Sequence, residues 1–376
     1  MENVKILDLS RVLAGPLCAM TLGDLGADVI KVEKPGDGDE SRGWGPPFDP
    51  NGLSAYYLCC NRNKLSVALD FSNPADRSVL DSLIAGADVV LENFRDGALA
   101  AHGIVARDIL QAYPQLIWCT ISGFGPGNPR PGYDFVVQAE CGWMAITGEP
   151  GGEPMKTGVA LADIIAGKDA TIAILGALLQ RDRSSEPVPV ASRHLHISLS
   201  HSATAALINV AQNTLVSGQD ARRWGNAHPN LVPYQLFATA DTHMVLAVGN
   251  DGQWKAACAA LGLPDLATDA SLKTNAGRLS QRERVVTTIA NRLSENVASH
   301  WMGALQQVGV PCGIVRSVNE ALRAVSASPA NGVSPAIPGT VRRSPPRLDE
   351  HGEAVRKEGW SVFQASARAK MTDPVT

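Results

Sequence analysis

The apolar run VKILDL at residues 4–9 ends in polar turn residues, helical apolar spacing follows from Ala14 to Leu25, and ADVIKVE at 27–33 is a second, β-branched run. Strand, helix, strand is the reading. It recurs downstream: LSVALDF, a helical stretch from Asn73 to Ala85, DVVLENF, a helical stretch from Leu99 to Tyr113, then LIWCTISGFG. Alternation of this kind predicts an α/β fold, a Rossmann-like parallel sheet covered on both faces, with functional loops at the C-terminal ends of its strands.

The segment GFGPGNPRPG, 123–132, breaks the series, because prolines at 126, 129 and 131 forbid regular structure there. A long helix is predicted from Asp163 to about Arg181, with Ala166, Ala170, Ala173 and Ala177 as a stripe of small residues that lets another element approach closely. SSEPVPVAS reads as an exposed connection, and a further helix is expected from Ser202 to Val216. The expected layout is then a large domain over 1–200, a linker helix over 201–224, a smaller α+β domain over 225–325, and a tail over 326–376 that returns to the large domain. The smaller domain carries strand-like HMVLAVG, helical stretches over 253–261 and 279–293, and the GVPCGIV run.

Composition narrows the function. With 45% hydrophobic and 19% charged residues over 376 positions, the chain can bury a sizeable core. A net charge of -4 argues against nucleic acid and anionic membranes, which select a basic excess. The start MENVKILDLS lacks the basic and apolar blocks of a signal peptide, and no window has about 18 uncharged apolar residues, so a cytoplasmic protein is expected. The seven cysteines form no CxxC pair and read as thiols rather than as metal or disulfide sites.

No GxGxxG precedes the first helix, and GxxxxGK[ST], HExxH and GxSxG are all absent. A dinucleotide, a P-loop phosphate, a zinc ion and a serine nucleophile therefore lose their usual signals, and no metal is expected. Cations and amides remain at the strand ends: Lys31 and Lys34, Arg62 and Lys64, Asn93 and Arg95. Singly they read as solvated charges, and together they could surround a phosphorylated ligand. In KTGVALADIIAGKDA, Asp163 reads as a helix N-cap that the helix terminus would keep ionised. Asp169 lies about 240° further round the same helix, on its polar face beside Lys168.

DLSRVLAGPLCAMTLGDLGADVIKVEKPGDGDESR, NRNKLSVALDF, LENFRDGAL, GYDFVVQAECGWMAITGEP and GVALADIIAGKDATIAILGALLQR together resemble the class III coenzyme A transferases, the family of formyl-CoA transferase and carnitine CoA-transferase. The resemblance runs over essentially the whole chain. It implies two chains interlocked as a homodimer, no permanently bound cofactor, and a coenzyme A thioester as substrate. Asp163 falls at the family's nucleophilic aspartate, with Asp134 and Tyr133 in support. Ala14, Lys34, Leu69, Ser72, Asn93, Phe94 and Arg95 fall at coenzyme A positions, Lys34 near a phosphate. Ala101 stands where formyl-CoA transferase has a basic residue, so Arg95 is the expected substitute, and His196 stands near where many relatives are acidic.

GNAHPNLVPYQLFATAD resembles the branch of succinyl-CoA-dependent dicarboxylate transferases, so Gly225, Asn226 and His228 are expected to cover the site. Arg342, and less directly Arg11, are the cations expected for a distal carboxylate. The resemblance thus implies transfer of coenzyme A from an acyl-CoA such as succinyl-CoA to a carboxylic acid. Two alternatives share the fold. One is an α-methylacyl-CoA racemase, whose histidine position is Tyr133 here, a poor base at neutral pH; the other is a catalytically silent acyl-CoA binder.

Overall fold

The computed structural model describes residues 1–364; positions 365–376 of the expected tail lie outside the described residues. Strands β1 (Lys5–Asp8), β2 (Asp28–Glu33), β3 (Lys64–Ala68), β4 (Val89–Glu92), β5 (Ile117–Ser122) and β6 (His194–Ser198) form one six-stranded sheet in the order β3-β2-β1-β4-β5-β6. Every neighbouring pair in it is parallel. The chain builds outward from β1 to β3, then returns to place β4 on the other side of β1. Two loops diverge at that reversal and open a crevice at the strand ends.

Burial on both faces explains the near-continuous apolar runs of β1 to β5. On one face, Ile6, Val29, Val89 and Cys119 pack against the helices Ala14–Asp24 and Leu161–Arg183. On the other, Leu7, Ile30, Val90 and Trp118 meet Leu80 and Ile84 of the Pro74–Ala85 helix, Leu110 and Val355. The small-residue stripe serves the first face. A Cβ on Gly167 would meet the Ala14 carbonyl oxygen at 2.6 Å, so the two helices cross almost backbone to backbone there. Asn73 caps the Pro74–Ala85 helix through the amides of Ala75 and Asp76, with proline at its first turn.

Three elements differ from expectation. His194–Ser198 forms strand β6, although alternating histidine and serine hide its apolar character. The helix expected over 202–216 is divided into Leu199–Ala205 and Ile208–Ser217, with Ile208 at φ 39, outside helical space. The stretch 99–113 holds a short 3-10 turn and the helix Ala106–Ala112, parted by Gly103 at φ 69.

Three of the strand-end cations are not available to a ligand. Lys31 pairs with Asp39 at 3.0 Å, Lys64 with Asp8 at 2.8 Å, and Arg62 with Asp24 at 2.7 Å, all in buried surroundings. Buried charge requires such partners, and here they lock the loop after β2 and the turn leading into β3. The C-terminal segment lies along β3: Ala68 donates to Asp349 Oδ1, and His351 donates through its backbone to Ser66 O. Asn63 receives the amides of Arg342 and Arg343.

The unit just described comprises Met1–Trp143, Lys156–Ser217 and the described residues from Val325; a second comprises Met144–Met155 and Gly218–Ala324. In the second, β7 (Tyr234–Ala238), β8 (His243–Ala247) and β9 (Cys312–Ile314) make an antiparallel sheet. Trp254, Ile289 and Trp301 fill its core from three helices.

Candidate active site

A cavity of about 730 Å³ opens at the C-terminal ends of β1, β4, β5 and β6. It occupies the crevice that the strand order creates. Arg11, Val12, Leu13 and Ala14 line one side, and Asn93, Phe94 and Arg95 another. These two loops hold each other reciprocally. The Arg11 amide donates to Asn93 Oδ1 at 2.8 Å, and Asn93 Nδ2 donates to Arg11 O at 2.7 Å. Val12 sits at φ 71, an uncommon conformation for a β-branched residue, and its amide donates to both oxygens of Asp39. Strain at the cavity wall is thus held by the buried Lys31–Asp39 pair.

The proline-rich loop forms a third wall, from Gly125 to Tyr133. Its neck is two facing glycines: a Cβ on Gly123 would meet Gly132 Cα at 2.5 Å. Side chains at both positions would open the loop.

Asp163 lines the cavity from the first turn of the Leu161–Arg183 helix. It is not the cap. Ala160 occupies the N-cap position without a side-chain bond, and the capping acceptor comes from Asp134, whose Oδ1 takes the Ala162 amide at 2.8 Å. The other Asp134 oxygen accepts from Gln138 Nε2 at 2.7 Å. Nor does the helix terminus keep Asp163 fully ionised. Burial, reinforced by the charge of Asp134, pushes its carboxyl up to about 7. At neutral pH the carboxylate is therefore present, yet weakly solvated and basic.

Strands β4 to β6 add a polar strip that sequence reasoning did not assemble. Glu92 lies opposite Thr120, and Thr120 opposite His196, so the three share one face of the sheet. Thr120 Oγ1 donates to Glu92 Oε1 at 2.5 Å, and His194 Nε2 lies 3.3 Å from the same hydroxyl. Glu92 Oε2 also accepts the Phe94 amide at 2.8 Å, which fixes the loop after β4. Burial and the adjacent His196 push His194 down to about 4, leaving it neutral. The rings of His194 and His196 are 4.0 Å apart between centroids. His196, noted in the sequence only as a departure, thus lines the cavity.

Tyr56 was also missed. Burial raises its phenol pKa, and the charges of Asp163 and Asp134 raise it further, so the phenol stands within their field. Its ring meets Trp44 edge-on at 5.0 Å. Nothing in SAYYLCC distinguishes this tyrosine from its neighbour Tyr57, which is core.

Of the candidate site residues, Asp163, Tyr133, Ala14, Asn93, Phe94, Arg95 and Arg11 come together around the cavity, and Asp134 stands behind Asp163. Lys34, Leu69 and Ser72 are not in its wall. Lys34 is exposed and pairs with Asp37 at 3.1 Å, Leu69 is packed into the core, and the Ser72 amide donates to Asp70. Arg342 does not reach the cavity either: its guanidinium donates to Gly23 O and Ala27 O at 3.0 and 2.6 Å, bracing the turn before β2. Asp169 is occupied by Ser202 Oγ at 2.6 Å. Gly225, Asn226 and His228 belong to the second unit, where Gly225 turns at φ 58 and His228 Nδ1 accepts the Asn230 amide. Among the described residues no His, Cys, Asp and Glu group is arranged to hold a metal ion. No described helix is long and apolar enough to cross a membrane.

Comparison with known proteins gives one result throughout. The family model described as CoA-transferase family III matches residues 1–358. The chain is 41% identical over 323 residues to the mouse (Mus musculus) succinyl-CoA:glutarate CoA-transferase, covering 85% of this chain and 73% of that protein. It is 40% identical over 328 residues to the succinate--glutarate CoA-transferase of Agrobacterium fabrum, covering 85% and 81%. Among solved structures, a CAIB/BAIF family protein from Brucella suis superposes with a TM-score of 0.82 at 38% identity, covering 95% of this chain and 98% of that one.

Proposed function

Because the chain belongs to CoA-transferase family III, we propose that this CoA-transferase moves coenzyme A from succinyl-CoA to a dicarboxylic acid, with glutarate the first acceptor to test. The observation that carries the mechanism is a basic, half-buried carboxylate, Asp163, in the wall of the crevice cavity. Poor solvation strengthens it as a nucleophile and keeps water from the intermediates.

An Asp163 oxygen attacks the succinyl thioester carbonyl, the C–S bond breaks, and coenzyme A leaves as thiolate from a mixed anhydride. The thiolate attacks the Asp163 carbonyl carbon, releasing succinate and leaving an aspartyl-CoA thioester. The acceptor carboxylate then attacks that thioester, and the freed thiolate takes the acceptor carbonyl from Asp163. Each step exchanges one acyl bond for another, and the carboxylate is regenerated.

Asp134 is a supporting residue: it caps the Asp163 helix and raises the basicity of Asp163. Ala14, Asn93 and Phe94 hold the pantetheine arm, and Arg95 meets phosphate. Lys34 exchanges its exposed Asp37 partner for a phosphate at the crevice rim, while Leu69 and Ser72 shape the adjoining loop. Arg11 is the cation for the distal carboxylate in place of Arg342. It lies in the cavity wall, over the Phe94 ring, with an exposed Glu40 as its ionic partner. Tyr133 closes the pocket, and Gly225, Asn226 and His228 form a cover in an interlocked homodimer. Seven free thiols suit a cytoplasmic enzyme.

The test is a panel of acids, glutarate, mesaconate, citramalate, oxalate and acetate, incubated with succinyl-CoA and read by mass spectrometry of the acyl-CoA products. Glutaryl-CoA formation, with acetate inert, is expected. Transfer to monocarboxylates alone would overturn the dicarboxylate reading, and α-proton exchange into deuterated solvent without an acceptor would replace it with racemase chemistry.

A further inference from the structure

Two cysteines stand side by side, Cys59 and Cys60, directly after the short helix Ala55–Leu58. Their environments are opposite. Cys59 is exposed, while Cys60 is fully buried. Their sulfurs nevertheless converge on one atom: Cys59 Sγ is 3.0 Å from Tyr56 O, and Cys60 Sγ is 3.9 Å from the same oxygen. Cys60 Sγ is also 3.6 Å from Val12 O and accepts from Asn61 Nδ2 at 3.5 Å. Cys18, Cys119 and Cys258 are buried, whereas Cys59 is an exposed thiol with a neighbouring one, the arrangement that oxidation favours.

From this convergence we propose that Cys59 and Cys60 form a thiol–disulfide site, closed by hydrogen peroxide and reopened by a dithiol reductant, which slows acyl transfer when closed.

The division of labour follows from the surroundings. The neighbouring Cys60 thiol holds the Cys59 pKa below the ordinary range, an effect to which nearby Lys64 adds. Cys60 responds in the opposite direction, through its neighbour Cys59 and through burial. Cys59 is then the thiolate that meets the oxidant. Its sulfur attacks a peroxide oxygen, the O–O bond breaks, and Cys59 becomes a sulfenic acid with release of hydroxide. The Cys60 sulfur attacks the sulfenic sulfur, its proton leaves with the expelled hydroxyl as water, and an S–S bond forms within an eight-membered ring. In total, two thiols are oxidised and one peroxide is reduced to two waters.

Closure would be felt at the active site through two short connections. Tyr56 O and Val12 O lose their sulfur contacts as the S–H groups disappear. The Tyr56 phenol feels the charge of Asp163, and Val12 is the strained residue in the cavity wall. A disulfide therefore changes the contacts of one residue in the cavity wall and of one within the field of the reacting carboxylate. The chemistry needs nothing from the acyl substrates, so it goes beyond the transfer reaction.

The experiment exposes the full chain to hydrogen peroxide, alkylates remaining thiols, and reads the peptide containing Cys59 and Cys60 by mass spectrometry beside the transfer assay. The expected result is loss of two hydrogens from that peptide, with a roughly tenfold fall in rate, both reversed by dithiothreitol. Cys59→Ser should keep its basal rate and show neither response, and Cys60→Ala should instead trap dimedone on Cys59. A wild-type peptide that stays doubly alkylated after peroxide overturns the proposal. So does a Cys59→Ser enzyme inhibited as strongly as the wild type. The peptide mass reads the thiol chemistry without reference to the acyl acceptor, so a wrong acceptor leaves this test intact. Because Cys59 is exposed, its serine variant is expected to fold even where Cys60→Ala does not.

Discussion

Replacing Asp163 by asparagine should stabilise the protein, and should do so only where the carboxyl would ionise. The unfolded chain holds this carboxyl near 3.8, whereas burial and Asp134 push it to about 7 in the folded state. At about 1.36 kcal/mol per unit, the folded state disfavours the ionised form by roughly 4 kcal/mol. Below about pH 4 both states hold the proton and the cost is absent. Between there and about pH 7 the folded state binds more protons, so stability falls as pH rises; above 7 the full cost is present. Asp163→Asn removes it. Urea unfolding followed by tryptophan fluorescence should show a gain of up to about 4 kcal/mol at pH 8, shrinking towards zero as pH falls to about 4. Equal gains at both pH values, or a less stable variant at pH 8, would refute the reasoning, because the carboxyl would then carry no ionisation cost.

Other expectations follow from the same geometry. In single-turnover release of coenzyme A, the rate of the first acyl step should rise with pH through about 7, as Asp163 ionises. Asp134→Asn keeps an oxygen for the Ala162 amide but removes the charge, so that limb should move to lower pH while staying above the ordinary carboxylate range, since burial is the larger cause. Asp134→Ala should in addition lose about 1 kcal/mol of stability with the cap, measured by urea unfolding. Arg42→Met leaves Glu33 buried without its bidentate partner and should cost about 3 kcal/mol or more in the same assay.

The first five strands were legible because a parallel sheet buried on both faces writes itself as apolar runs between turn residues. Strand β6 was not, since His194, His196 and Ser198 face the cavity side and break the run. Asp163 could be placed at a helix start from its sequence neighbours, but its cap could not. The acceptor is Asp134, 28 residues before the Ala162 amide it receives, and local spacing carries no signal for such a partner. The strand-end cations were misread for a related reason: the carboxylates that bury Lys31, Arg62 and Lys64 lie on other segments. Arg342 likewise meets backbone carbonyls more than 300 residues away in sequence. What sequence supplied at the site was the position of the proposed nucleophile; its basicity belongs to the tertiary packing.

The central claim is that Asp163 becomes the carrier of coenzyme A. Incubation with succinyl-CoA alone, rapid quenching, digestion and mass spectrometry tests it directly. The account predicts a coenzyme A thioester on the peptide containing Asp163, cleaved by hydroxylamine to a hydroxamate and reduced by borohydride at that residue. An adduct on another residue, or an Asp163→Ala enzyme that still forms the new acyl-CoA, would contradict it.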